Sequence, residues 1–90
     1  MIRTLFYTVF CDDEDKQTLE MIARGDLVYL TLTRKIDGGD DSDYVFSERT
    51  KNTEEAFRRY FIFAQQFAEG DYSWEDRKYL VSTAFNDLND

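Results

Sequence analysis

From Asn52 to Gly70 the chain spells out one long amphipathic helix, and that helix limits what the other residues can build. Phe57, Tyr60, Phe61, Ala64, Phe67 and Ala68 recur at the i, i+3, i+4, i+7 spacing that gathers side chains on one helical face. Asn52, with Glu55 three residues on, has the form of a capping box, and Gly70 stands just past the last periodic residue. Arg58, Arg59, Gln65, Gln66 and Glu69 fill most of the opposite side, while Ile62 and Phe63 widen the apolar arc. A helix with such a stripe gains its stability by burying it, so the rest of the chain must supply a sheet or further helices. Phe61, flanked by Phe57 and Ala64, is expected in the core.

The surface to cover comes from β-branched and aromatic runs. Ile2 to Phe10 alternates Ile2, Thr4, Phe6, Thr8 and Phe10 against Arg3, Leu5, Tyr7 and Val9. Both sides are largely apolar near the middle, which predicts a central strand, or one with one face under helices and the other partly covered. Leu27 to Arg34 and Tyr44 to Thr50 read as two more strands, joined by the polar, Gly38-Gly39-bearing loop from Lys35 to Asp43 into an antiparallel hairpin with a projecting tip. Asp12 to Gly25 reads as a short helix: acids at its start, Leu19, Ile22 and Ala23 on one face, Arg24 and Gly25 at its stop. Its polar first half also fits a turn. Ser73 with Asp76 forms a second capping box, opening a helix to Leu88 with Leu80, Val81, Ala84, Phe85 and Leu88 as its apolar residues. The short Gly70-Asp71-Tyr72 link predicts that the last two helices are antiparallel neighbours. The expected fold is α+β, a single domain over residues 1–90. A three-stranded antiparallel sheet carries the two C-terminal helices on one face, with a short helix after the first strand.

Ninety residues allow only a thin core, and eight Phe, six Tyr and one Trp provide its bulk. A chain 42% hydrophobic and 17% aromatic is not disordered. Cys11, the one cysteine, rules out an intrachain disulfide and is expected as an inert, partly buried thiol of a reduced compartment. No apolar run is long enough to span a bilayer, and Met1-Ile-Arg-Thr-Leu-Phe lacks the pattern of a signal peptide. The expectation is a cytoplasmic protein with no membrane partner.

Several chemistries fit poorly. Without His there is no imidazole base, and with one Cys there is no zinc or iron–sulfur ligand set. Gly38-Gly39 runs into Asp40-Asp41, which repels phosphate. The same loop has a partial calcium-loop spacing, Asp37, Asp41, Asp43 and Glu48, but Ser42 stands where the bend needs Gly. An enzyme, a cofactor and a metal are not expected. Tyr7, Tyr29, Tyr44 and Phe46 could form a base-stacking face, but a formal charge of −8 opposes a nucleic-acid ligand.

The charge instead points to a basic partner. The chain has 19 acidic against 11 basic residues. Asp12-Asp13-Glu14-Asp15 form one acidic group, Asp37, Asp40, Asp41 and Asp43 a second, and Glu69, Asp71, Glu75 and Asp76 a third. Such a surface attracts a cationic surface and can offer a field comparable to that of duplex DNA. Tyr72 and Trp74 stand beside the third group as candidate rings to fill a partner's pocket.

The stretch from Asp37 to Asp76 resembles small acidic phage-encoded inhibitors, anti-CRISPR proteins that imitate DNA. The resemblance rests on an Asp/Gly-rich hairpin turn, then Tyr44-Val45-Phe46-Ser47-Glu48, an amphipathic helix, and Gly70-Asp71-Tyr72-Ser73-Trp74-Glu75-Asp76. It covers less than half of the chain, and the N-terminal half departs from it. It implies a non-enzymatic inhibitor in the host-cell cytoplasm, monomeric or homodimeric, that occupies the basic DNA or RNA site of a Cas nuclease or other defence enzyme. The expected partner-binding residues are Asp37, Asp40, Asp41, Asp43, Glu48, Glu69, Asp71, Tyr72, Trp74, Glu75 and Asp76. The alternative is a regulatory or structural interaction domain whose acidity serves solubility.

Overall fold

The computed structural model of this chain describes residues 2–12, 15–36 and 44–88. It has four strands, β1 (Ile2–Asp12), β2 (Asp15–Arg24), β3 (Leu27–Ile36) and β4 (Tyr44–Thr50), followed by two helices, α1 (Thr53–Glu69) and α2 (Trp74–Ser82). The strands form one antiparallel meander in the order β1-β2-β3-β4. The α+β class, the antiparallel sheet and the two helices on one face stand as expected. The strand count and the short helix do not.

The segment expected as a helix after the first strand is β2. Gln17, Leu19, Met21 and Ala23 fall on one side of it, and Lys16, Thr18, Glu20 and Ile22 on the other. This period of two was hidden behind the helix-compatible set Leu19, Ile22 and Ala23. The segment lies between β1 and β3 and pairs with both along its length, so neighbouring backbones outweigh the helical propensity of Leu, Glu, Met and Ala. Gly25 is not a helix cap. It is the first residue of a two-residue hairpin with Asp26 between the paired Arg24 and Leu27, and its φ of +63° is the left-handed value such a loop requires. With β2 inserted, β1 becomes an edge strand rather than a central one, with Phe6 packed under α1 as the other expected arrangement has it.

Residues paired across the strands share a face. Phe6, Thr8 and Phe10 line up with Met21, Leu19 and Gln17, and these with Leu30, Leu32 and Arg34. The helices cover this face: α1 lies over β2 and β3, and α2 over β3 and β4. The core consists of Leu19, Met21, Val28, Leu30 and Leu32 from the sheet, Ala56, Tyr60 and Phe67 from α1, and Val81, Ala84 and Phe85 from α2 and the turns after it. Tyr60 fixes α1 to the sheet. Its hydroxyl donates to the Leu19 carbonyl at 3.1 Å and accepts from the Thr8 hydroxyl at 2.5 Å.

Phe61, expected in the core, is 54% exposed. The buried line of α1 runs through Ala56, Tyr60 and Phe67, which turns Phe61 outward to the β1 side, where its ring packs 4.7 Å from Phe6. Both helix starts are capped as expected: Asn52 Oδ1 accepts from the Glu55 N–H at 3.3 Å, and Ser73 Oγ from the Asp76 N–H at 3.1 Å. The second helix ends at Ser82 rather than Leu88. The Ser82 and Thr83 hydroxyls bond back to the Tyr79 carbonyl, and the chain tightens into turns with N–H to carbonyl bonds three residues apart. Arg59 holds those turns against α1, with a fork to Asp87 at 2.6 and 2.9 Å and a bond to the Ala84 carbonyl at 2.6 Å. The end of α1 and the start of α2 meet where Arg77 donates to the Phe67 carbonyl, so the helices run antiparallel as expected.

Candidate functional site

In a meander, alternate turns fall at alternate ends of the sheet. The end of β1 and start of β2, the end of β3 and start of β4, and the end of α1 and start of α2 therefore share one end of this protein. The opposite end holds the Gly25-Asp26 turn, the β4–α1 link and the turns after α2.

At the shared end, Glu69 closes α1 and Gly70 turns the chain away in an extended conformation. Gly70 is needed for space. A Cβ there would stand 2.9 Å from the Gln66 carbonyl and would run into the Tyr72 ring. That close approach lets Tyr72 pack on Phe67, with ring centres 5.6 Å apart. Ser73 then caps α2, and Trp74 begins it with the Arg34 guanidinium 5.4 Å from its ring centre. Glu69, Asp71, Glu75 and Asp76 are all exposed. Glu75 pairs with Lys78 at 3.0 Å, and Glu69 receives a long bond from Gln65, while Asp71 and Asp76 have no ion pair among the described residues.

Between this turn and the sheet lies a cleft of about 280 Å³, with Phe10, Asp15, Arg34, Tyr72, Trp74 and Arg77 in its walls. Its polar groups form one chain of contacts. Arg34 grips both oxygens of Asp15 at 2.9–3.2 Å. Asp15 also accepts from Gln17 Nε2 at 3.3 Å, and Gln17 Oε1 accepts from Arg77 at 2.6 Å. The Arg77 guanidinium lies 4.9 Å from the Phe10 ring centre and 5.3 Å from that of Phe67. Burial lowers its pKa below the ordinary arginine value, and the Asp15 charge opposes that shift. Arg77 Nε is buried and has no hydrogen-bond partner. The network ties α2 to β2 and β3 and fixes the floor from which the exposed carboxylates rise. Cys11, at the mouth of this cleft, is exposed rather than partly buried.

The structure thus brings together Glu69, Asp71, Tyr72, Trp74, Glu75 and Asp76. It does not bring Glu48 to them. That side chain is half-buried near the far end of β4, in a broad concavity with Thr50, Lys51 and Asn52. Asp37, Asp40, Asp41 and Asp43 lie outside the described residues, although the chain leaves β3 at Ile36 and re-enters at Tyr44 at the acidic end. Asp15, Gln17, Arg34 and Arg77 were not anticipated as a group. Their only sequence signal is the period-two pattern of β2, which puts Gln17 on the covered face. No group of three or more metal-ligating side chains occurs among the described residues, and no helix is long and apolar enough to cross a membrane. No protein-family model matches the chain, nor does any curated protein or solved structure.

Proposed function

We propose that this protein binds a cationic surface of a nucleic-acid-binding protein through its acidic end and so competes with that partner's DNA or RNA. The partner class is a Cas-type nuclease or another defence enzyme, and the protein acts as an inhibitor without chemistry of its own. One observation carries the reading: Glu69, Asp71, Glu75 and Asp76 stand exposed together at the α1–α2 turn. The chain as a whole carries a formal net charge of −8. A field concentrated in this way steers a basic groove toward one end of the molecule.

A plain interaction domain, acidic for solubility, is favoured by a different observation. Tyr72 and Trp74, expected as rings for a partner's pocket, are engaged within the protein by Phe67 and Arg34. Competition separates the two readings. The partner's DNA should displace this protein, added salt should weaken binding steeply, and joint replacement Asp71→Asn, Glu75→Gln and Asp76→Asn should weaken it without loss of helical circular dichroism. A partner that holds its nucleic acid and this protein together, with neither affinity changed, leaves only the interaction domain.

A further inference from the structure

Arg77 is a cation held inside the fold without a counter-charge. Arg34, Arg58 and Arg59 each grip a carboxylate, and Lys78 lies beside one. Arg77 donates instead to two neutral acceptors, Gln17 Oε1 at 2.6 Å and the Phe67 carbonyl at 3.1 Å, and forms no ion pair among the described residues. Its Nε–H is buried and has no hydrogen-bond partner. The Phe10 and Phe67 rings lie within cation–π distance, which offsets part of the cost of burial but brings no oxygen acceptor. Asp15 acts on Arg77 without touching it, because Arg34 holds both of its oxygens. A guanidinium taken out of water is costly unless an anion meets it, and an orphaned buried donor is the mark of a missing partner.

Arg77 stands in the wall of the cleft of about 280 Å³ between the α1–α2 turn and the sheet. The Phe10, Tyr72 and Trp74 rings share those walls. A concave site with aromatic sides and a charged group that fixes orientation has the make-up of a small-molecule site.

We propose that this cleft binds a small aromatic monocarboxylate, with the carboxylate on the Arg77 guanidinium and the ring among Phe10, Tyr72 and Trp74. A guanidinium only donates, so its ligand must bring acceptors, and a planar carboxylate takes two parallel N–H bonds from it. One negative charge matches one unmatched cation. A phosphate dianion brings a second charge next to Asp15 and Asp71, which line the same cleft. The rings suit a flat apolar body. The inference does not depend on what the exposed acids of the turn bind.

Trp74 is the one tryptophan of the chain, so its fluorescence reports on the cleft. Titration of the full chain with benzoate should change that emission along a saturating curve, and benzamide, its neutral counterpart, should not. Arg77→Met should weaken benzoate binding roughly tenfold or more, the worth of a hydrogen bond to a charged group. Lys78→Met removes one positive charge from the same helix outside the cleft and should leave the affinity unchanged. Circular dichroism checks that each variant folds. NMR of the unaltered protein needs no variant: the Arg77 Nε–H resonance should move with benzoate, and benzoate ring protons should show Overhauser contacts to Trp74 or Tyr72. A response that never saturates, an equal response to benzamide, tighter binding of inorganic phosphate, full affinity in folded Arg77→Met, or an Nε–H resonance that stays in place overturns the proposal.

Discussion

Removing one oxygen atom tests the packing of helix on sheet. Tyr60→Phe keeps the ring, which is 2% exposed and stacks on Phe6 at 5.4 Å, but deletes the hydroxyl that links Thr8 and Leu19. Two hydrogen bonds are lost, each worth about 0.5–1.5 kcal/mol net, so the expected cost is about 1–3 kcal/mol. In a domain of this size each kcal/mol lowers the melting midpoint by roughly 4–8 °C. Urea unfolding followed by circular dichroism measures the loss, and Thr8→Val in the same background should add little, because the two side chains share one contact. Alkaline pH provides a second signature. Burial is the main cause that raises the Tyr60 pKa above its ordinary 10.0; the Glu20 charge adds to it and the Thr8 bond opposes it. As pH rises past the ordinary value, the unfolded chain releases this proton before the folded one does. Stability that is complete below pH 10 is therefore lost as pH climbs through the folded value, and Tyr60→Phe should lack this component. A Tyr60→Phe protein as stable as its parent, with the same alkaline limb, refutes the placement of Tyr60 between β1 and β2.

Further expectations follow from particular positions. Phe67→Ala should cost about 3–5 kcal/mol through lost burial and a cavity, whereas Phe61→Ala should cost clearly less by chemical denaturation, and equal costs contradict the observed burial of Phe67 and exposure of Phe61. Gly25→Ala should destabilise by about 1 kcal/mol for backbone reasons alone, since an added Cβ meets nothing within 4 Å, and an unchanged melting midpoint rules out the left-handed turn. The hydrogen bond from Arg59 holds the Asp87 carboxyl below its usual 3.8. Its stabilising contribution is present above that value and fades as pH falls through the folded one, and a carboxyl titration by NMR should show Arg59→Gln returning Asp87 to the ordinary range.

Local chemistry settled part of this architecture. The caps at Asn52 and Ser73 work within four residues of sequence, so side-chain identity alone fixes where the helices begin. The β3–β4 hairpin was legible for a similar reason: two runs of β-branched and aromatic residues flank a polar, Gly-bearing connection. The acidity of the chain and the presence of Tyr72 and Trp74 beside four carboxylates were equally plain.

Tertiary structure decided the elements whose sequence supports two periods. Leu19, Ile22 and Ala23 suit a helix, and Leu19, Met21 and Ala23 suit a strand. The strand prevails because β1 and β3 lie on either side to complete its backbone hydrogen bonds, which no inspection of ten residues reveals. The same insertion moved β1 to the edge, and the buried line of α1 through Ala56, Tyr60 and Phe67 leaves Phe61 exposed beside Phe6. The cleft joins Arg77 to Gln17, sixty positions away in the chain, and through Asp15 to Arg34 and Trp74. Such contacts depend on which strands are neighbours and which face the helices cover. Sequence therefore determined how much charge the protein carries and which local segments fold, while the meander alone decided that the end of β1, the end of β3 and the acidic α1–α2 turn share one end of the fold.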